Sequence, residues 1–214
     1  MSRHLAACKE RPAIGKGRKR RLFHLVVEGR SAPEYWLHLE LPANATLADL
    51  DSFLRDIWLE CCGHLSAFTV GEERYTHDEW REPEERSMRT KLAAVLPPGV
   101  GGLYEYDFGS TTELRIRCVG EREGEPQGSK PAVLARNEPP EVKCRVCGGP
   151  AMVVCQECIW DDEGGWYCVA HACNHGCHDE MILPVVNSPR VGECAYTGDE
   201  PWDYQSLASA SAEE

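Results

Sequence analysis

The chain has no apolar run of the ~18 residues that a membrane-spanning helix needs. It also lacks the apolar core of a secretion signal, since "MSRHLAACKERPAIGKGRKRR" is basic and broken by Pro12, Gly15 and Gly17. These absences imply a cytoplasmic protein without a membrane partner, and in that compartment thiols stay reduced. Clustered cysteines then read as metal ligands rather than disulfides. There is no internal repeat and no recognisable catalytic motif. A sustained basic face is missing too. Residues 1–21 carry eight Lys/Arg against one acid, Glu10, so that segment is +7 and the rest of the −12 chain is −19. Such an acidic body repels a phosphate backbone over most of its surface. Only the arm at 1–21 is suited to nucleic acid, and as a lone charge run it reads first as a flexible, solubilising arm.

What the chain has in excess is cysteine and histidine in one place. The stretch "CRVCGGPAMVVCQECIWDDEGGWYCVAHACNHGCH", Cys144 to His178, holds seven of the twelve cysteines and three of the eight histidines. Its spacing is C-x2-C-x7-C-x2-C-x9-C-x2-H-x3-H-x2-H. In a C-x-x-C hop both thiolates reach one ion at about 2.3 Å without stretching the backbone. Eight ligands satisfy two closed tetrahedral sites. The expected assignment alternates, with Cys144, Cys147, Cys168 and His171 on one Zn2+ and Cys155, Cys158, His175 and His178 on a second. Cys173 and Cys177 compete with the histidines. Alternation ties together segments far apart in a stretch with few large apolar residues, so metal binding becomes folding free energy. With all positions filled by protein, the zinc is structural rather than catalytic.

The rest of the chain reads as α+β: a small mixed sheet, one main helix and a second short helix, followed by the two-zinc cross-brace module. Strands are expected over 22–29, 35–41 and 64–70. In the second of these Tyr35, Leu37, Leu39 and Leu41 alternate with Trp36, His38 and Glu40, as in a half-buried strand. "NATLADLDSFLRDIWLECCG" reads as the main helix, N-capped by Thr46 with Asp49 three residues on, and ended by Gly63. Residues 86–96 suit a short helix stopped by Pro97-Pro98-Gly99, and "GLYEYDFGSTTELRIRCVG" a hairpin. The expected divisions are a basic flexible arm at 1–21, an α+β domain at 22–119, a linker at 120–140, a zinc module at 141–200 and a disordered tail at 201–214.

Two resemblances add to this. The ligand pattern over 144–178 resembles the first type of B-box, a RING-related cross-brace module. "LPANATLADL", "HLSAFTV" and "YEYDFGS" make residues 22–119 resemble the plasmid pRiA4b ORF-3-like family, also described as insertion-element passenger proteins. "LARNEPP" and "LPVVNSPRVGECAYTGDEPW" resemble the flanks of a zinc-bearing extension in some members. The resemblance implies a compact α+β domain and a link to mobile elements. Several of the family's usual polar residues are replaced here: Ser110 follows Asp107-Phe108-Gly109, Trp36-Leu37-His38 stands for a Trp-Arg-Arg element, and Asp51 takes a histidine's place in the helix.

The expected function is that of a non-enzymatic zinc-binding protein, an interaction or adaptor module with a protein partner. The alternative is a nucleic-acid-binding accessory protein using the 1–21 arm, and behind it an enzyme built on His64, Asp78, Asp107 or Cys61-Cys62. Thiols at a helix C-terminus are not activated by the helix dipole, which argues against the last pair. Arg190 reads as a structural loop arginine and Cys194 as a small buried residue rather than a ninth ligand. Trp160, Trp166 and Trp202 are expected to cover the metal core.

Overall fold

Alternating apolar residues over the N-terminal third form paired strands, and the computed structural model places them at the centre of a sheet. It describes residues 5, 19–126, 130–161, 164–198 and 201–205, so most of the basic arm and the end of the tail lie outside the described residues. The chain divides into two compact units. The first takes residues up to Arg55 and then His64–Asn137, and the second takes Asp56–Gly63 and Glu138 onward.

In the first unit, β1 (Arg20–Gly29), β2 (Trp36–Pro42), β3 (Ser66–Val70), β4 (Glu73–Thr76), β5 (Arg86–Ser87), β6 (Gly101–Tyr106), β7 (Thr112–Gly124) and β8 (Ala132–Arg136) form one sheet of order β5-β4-β3-β6-β7-β1-β2-β8. All pairs are antiparallel except β4–β5. Register puts Phe68 beside Tyr104, Tyr104 beside Leu114, Ile116 beside Val27 and Val27 beside Leu37. These buried residues therefore share one face.

Helix α1 (Leu47–Leu54) buries Leu47, Leu50 and Leu54. It starts where a complete capping box closes, with the Asp49 N–H donating to Thr46 Oγ1 at 3.1 Å and the Thr46 N–H to Asp49 Oδ2 at 2.7 Å. The main helix is shorter than its pattern suggests: past Leu54 the chain widens into a π-helical turn, Arg55–Leu59. The expected helix over 86–96 is also mostly absent. Arg86 and Ser87 pair with Tyr75 and Thr76, and only Leu92–Val95, α2, is helical.

The segment expected as a linker carries structure as well. β7 runs on to Gly124, and β8 adds an edge strand to β2, with Leu37 opposite Arg136. β2 is not half-buried as its alternation implies, because His38 and Glu40 are buried along with the leucines. Both have polar partners. His38 Nδ1 lies 2.8 Å from His24 Nε2, and Arg122 donates to Glu40 through two nitrogens at 2.7 and 2.5 Å.

The second unit has a three-stranded sheet, β10-β9-β11, from β9 (Val153–Cys155), β10 (Trp166–Tyr167) and β11 (Ile182–Pro184). A one-turn helix, α3 (Val169–Ala172), follows β10. Its buried core is small: Val153, Cys155, Tyr167, Ala172, Ile182 and Tyr204, with Cys158, Cys177, Met181 and Trp202 packed against it. Among the described residues no helix is long and apolar enough to cross a membrane.

Candidate metal centres

Each C-x-x-C pair lies in a tight turn set by backbone hydrogen bonds. At the first, Gly148 N–H donates to the Cys144 carbonyl at 2.9 Å and Cys144 N–H to the Gly149 carbonyl at 2.7 Å. Gly148 holds φ +71, a left-handed conformation that favours glycine. At the second, Ile159 N–H donates to the Cys155 carbonyl at 3.0 Å and Asp161 N–H to that of Cys158 at 3.1 Å. The third element is α3. Cys168 is its N-cap, and the helical turn brings His171 back over Cys168, with the His171 N–H donating to the Cys168 carbonyl at 3.1 Å.

These turns gather the ligand atoms into two groups. Cys144, Cys147, Cys168 and His171 have their ligand atoms within 4.8 Å of one another, and so do Cys155, Cys158, His175 and Cys177. In the first group His171 Nδ1 lies 3.1 Å from Cys168 Sγ and 3.5 Å from Cys144 Sγ, and the Cys147 and Cys168 sulfurs are 3.9 Å apart. In the second, His175 Nε2 is 3.4 Å and Cys177 Sγ 3.8 Å from Cys158 Sγ. Four donors around one ion at 2.0–2.3 Å stand roughly 3.3–3.8 Å apart along the edges of their tetrahedron. Most of these separations match that figure, so the donor sets fit a tetrahedral thiophilic cation. The groups alternate along the chain. Every described cysteine is free of disulfides.

The Cys144 thiol is tuned for ligation. Burial works against its thiolate, yet backbone N–H groups of Cys147, Cys168 and Val146 outweigh burial and bring the thiol down to about 6. The Tyr167 ring lies tilted against His175, ring centroids 4.6 Å apart, and helps fix that imidazole.

One expected ligand is not in its group. His178 is exposed and N-caps the 3-10 turn Asp179–Met181, while Cys177 turns inward beside Cys158. The reason is local: the His178 carbonyl accepts from Met181 N–H at 2.9 Å as the chain enters β11, which commits His178 to the turn. Spacing alone could not separate two neighbouring donors, although a thiol in a small core was the better fit. The tryptophans also divide. Trp202 packs on the core and donates from Nε1 to the Ile182 carbonyl at 3.1 Å, but Trp160 is 73% exposed and covers nothing.

A further gathering of thiols lies in the second unit: Cys61 and Cys62, considered from sequence as a reactive pair, and Cys194, read as a small buried residue rather than a ligand, have their sulfurs within 4.8 Å of one another. Of the other polar groups singled out by sequence, Asp107 holds a turn. At φ 63 its Oδ1 accepts from the Gly109 N–H at 3.0 Å and faces His64 Nδ1 at 3.5 Å. Asp78 makes surface ion pairs with Arg81 and Arg89.

An eight-stranded α+β unit together with a cysteine-rich unit whose ligands alternate defines a protein with candidate metal-binding groups. Residues 23–155 match the plasmid pRiA4b ORF-3-like protein family, more than half of the chain, and the chain belongs to that family. The matched region runs through the first C-x-x-C turn and ends at Cys155, the first cysteine of the second. Among solved structures, the crystal structure of a protein of unknown function from Methanosarcina mazei Go1 is similar at 18% identity and a TM-score of 0.47, over 57% of this chain and 72% of that one. No curated protein matches the chain.

Proposed function

We propose that the chain is a non-enzymatic zinc-binding protein, its second unit a protein-interaction or adaptor module serving a mobile element. One zinc is held by Cys144, Cys147, Cys168 and His171, the other by Cys155, Cys158 and His175 with Cys177. The observation that carries this reading is the completeness of each group. Four protein donors leave no exchangeable position for water or substrate, so the ion's chemistry is bracing: it crosslinks turns that a core this small would not hold alone. Support for the interaction role comes from Val146, Met152 and Trp160, apolar side chains left exposed in the same unit. The test is native mass spectrometry of protein purified without chelator, followed by capture of partners on the immobilised chain. Capture that depends on zinc and is lost in Trp160→Ala is expected, whereas capture indifferent to both defeats the adaptor reading.

A second reading has its own observation. Lys19, Arg20, Arg21 and Lys91 line a depression of about 460 Å³ in the first unit, beside Ala43, Asn44 and Ala93. Lys19, Arg20 and Lys91 favour a polyanion there, while Arg21 is paired with Glu121 at 2.7 Å. Gel shifts with nucleic acid should then weaken with salt and with Lys91→Glu, and salt-independent binding or none would reject it.

A further inference from the structure

Cys61 and Cys62 lie just before the end of the segment Asp56–Gly63, and Cys194 lies more than 130 residues later in the same unit. The Cys62 and Cys194 sulfurs are 3.9 Å apart, and with Cys61 all three lie within 4.8 Å of one another. Independent bonds build this arrangement. Ser188 Oγ donates to the Trp58 carbonyl at 2.7 Å, tying the Cys194 loop to the segment that bears the other two thiols. The Gln156 side chain, between Cys155 and Cys158, donates to the Cys194 carbonyl. Gly192, at φ +80, lets the loop close against Ile159 and Val154. Cys194 itself holds φ +51, a conformation rare outside glycine.

Charge points the same way. Arg190 is fully buried, and its Nη2 lies 3.6 Å from Cys61 Sγ. Three thiolates around a divalent cation carry one net negative charge, which suits a guanidinium at that distance.

We propose that Cys61, Cys62 and Cys194 bind a third zinc ion, distinct from the two interleaved groups. Binding releases the thiol protons, and the remaining coordination position falls to a nitrogen or oxygen donor. The role of the site is to fasten the segment Asp56–Gly63 to the Cys194 loop.

The experiment is metal counting by native mass spectrometry on the full chain, purified under reductant and given excess zinc. Three ions are expected in the parent and two in Cys62→Ser and in Cys194→Ser, with circular dichroism unchanged at β9–β11 content. Cys155→Ser should lose an ion from the interleaved groups and keep this one. A parent that stops at two ions, variants that keep the parent's count, or a Cys62–Cys194 disulfide formed under reductant would each overturn the site. Mapped alkylation gives a second readout that needs no variant. Cys62 is exposed, so iodoacetamide should modify it at least tenfold more slowly in the zinc-loaded chain than after chelation, and equal rates would overturn the proposal. Loss of both interleaved ions with retention of this one would defeat the adaptor reading and leave the third site standing.

Discussion

The Tyr104 hydroxyl donates a 2.8 Å hydrogen bond to Asp51, joining β6 to α1 inside the first unit. The same carboxylate accepts from Ser66 Oγ at 2.6 Å and Arg55 Nε at 2.9 Å, and faces His77 Nε2 at 3.0 Å. Burial, and then the Asp51 charge, push the Tyr104 phenol well above its usual pKa, so it stays a donor. Asp51→Ala strands these buried groups at once and is expected to cost about 3–5 kcal/mol of unfolding free energy in urea. A loss below about 1 kcal/mol would show that the network does not hold α1 to the sheet.

Cys177→Ser is expected to remove one zinc and His178→Ala to keep both interleaved ions, since only Cys177 approaches Cys158. Native mass spectrometry of the two variants decides the ligand, and the reverse result would return His178 to the site.

Gly192→Ala places a Cβ at φ +80, 2.5 Å from Ile159 Cδ1. The isoleucine tip can shift but the backbone strain cannot, so the second unit should lose about 2 kcal/mol. Thermal melts should show the change, and a melt identical to the parent's would mean that the loop moves freely.

His38 is buried, and that desolvation holds its pKa below the usual value of 6.5. The folded chain keeps the ring neutral while the unfolded chain takes up a proton near pH 6.5. Stability from this group is therefore flat above that pH and falls as pH drops through it toward the lower folded-state pKa. Hydrogen exchange of β1 and β2 amides, corrected for intrinsic rates, should show weaker protection at pH 5.5 than at 7.5, and the dependence should flatten in His38→Gln. Equal pH dependence in both would assign it elsewhere.

Chelation of the full chain should act unevenly. Amides of β9, β10 and β11 are expected to lose protection while those of β1, β6 and β7 keep theirs, because the first unit has an extended apolar face and the second little beyond its ligands. Uniform loss, read by exchange mass spectrometry, would mean that both units unfold together.

The hydrophobic pattern was enough to find β1, β2, β3 and the β6–β7 hairpin, where alternation is strong, and the Thr46 cap, where a side chain signals its own role. It missed β4, β5 and β8. Residues 86–87 pair with β4 through backbone hydrogen bonds that no side chain announces, and β8 is an edge strand of small and exposed residues. Alternation over Trp36–Pro42 wrongly implied an exposed face, because the buried polar side chains there find partners only across strands. In the candidate metal centres, the two C-x-x-C pairs and the C-x-x-H step were legible because short spacing is itself geometry. The choice of Cys177 over His178 was not, since it depends on where a turn into β11 begins. Cys61, Cys62 and Cys194 lie too far apart in sequence for spacing to relate them.

The segment Asp56–Gly63 belongs to the second unit although the chain on both sides of it belongs to the first. The polypeptide therefore passes between units three times, and neither unit is a contiguous stretch that a pair of primers could excise. A truncation after Asn137 would leave the buried Trp58 and Leu59 without the loop whose Ser188 hydroxyl donates to the Trp58 carbonyl. A fragment starting at Glu138 would lack Cys61 and Cys62. During synthesis on the ribosome the order is equally constrained: those residues emerge early and must wait for nearly the whole remaining chain before their own unit can close around them.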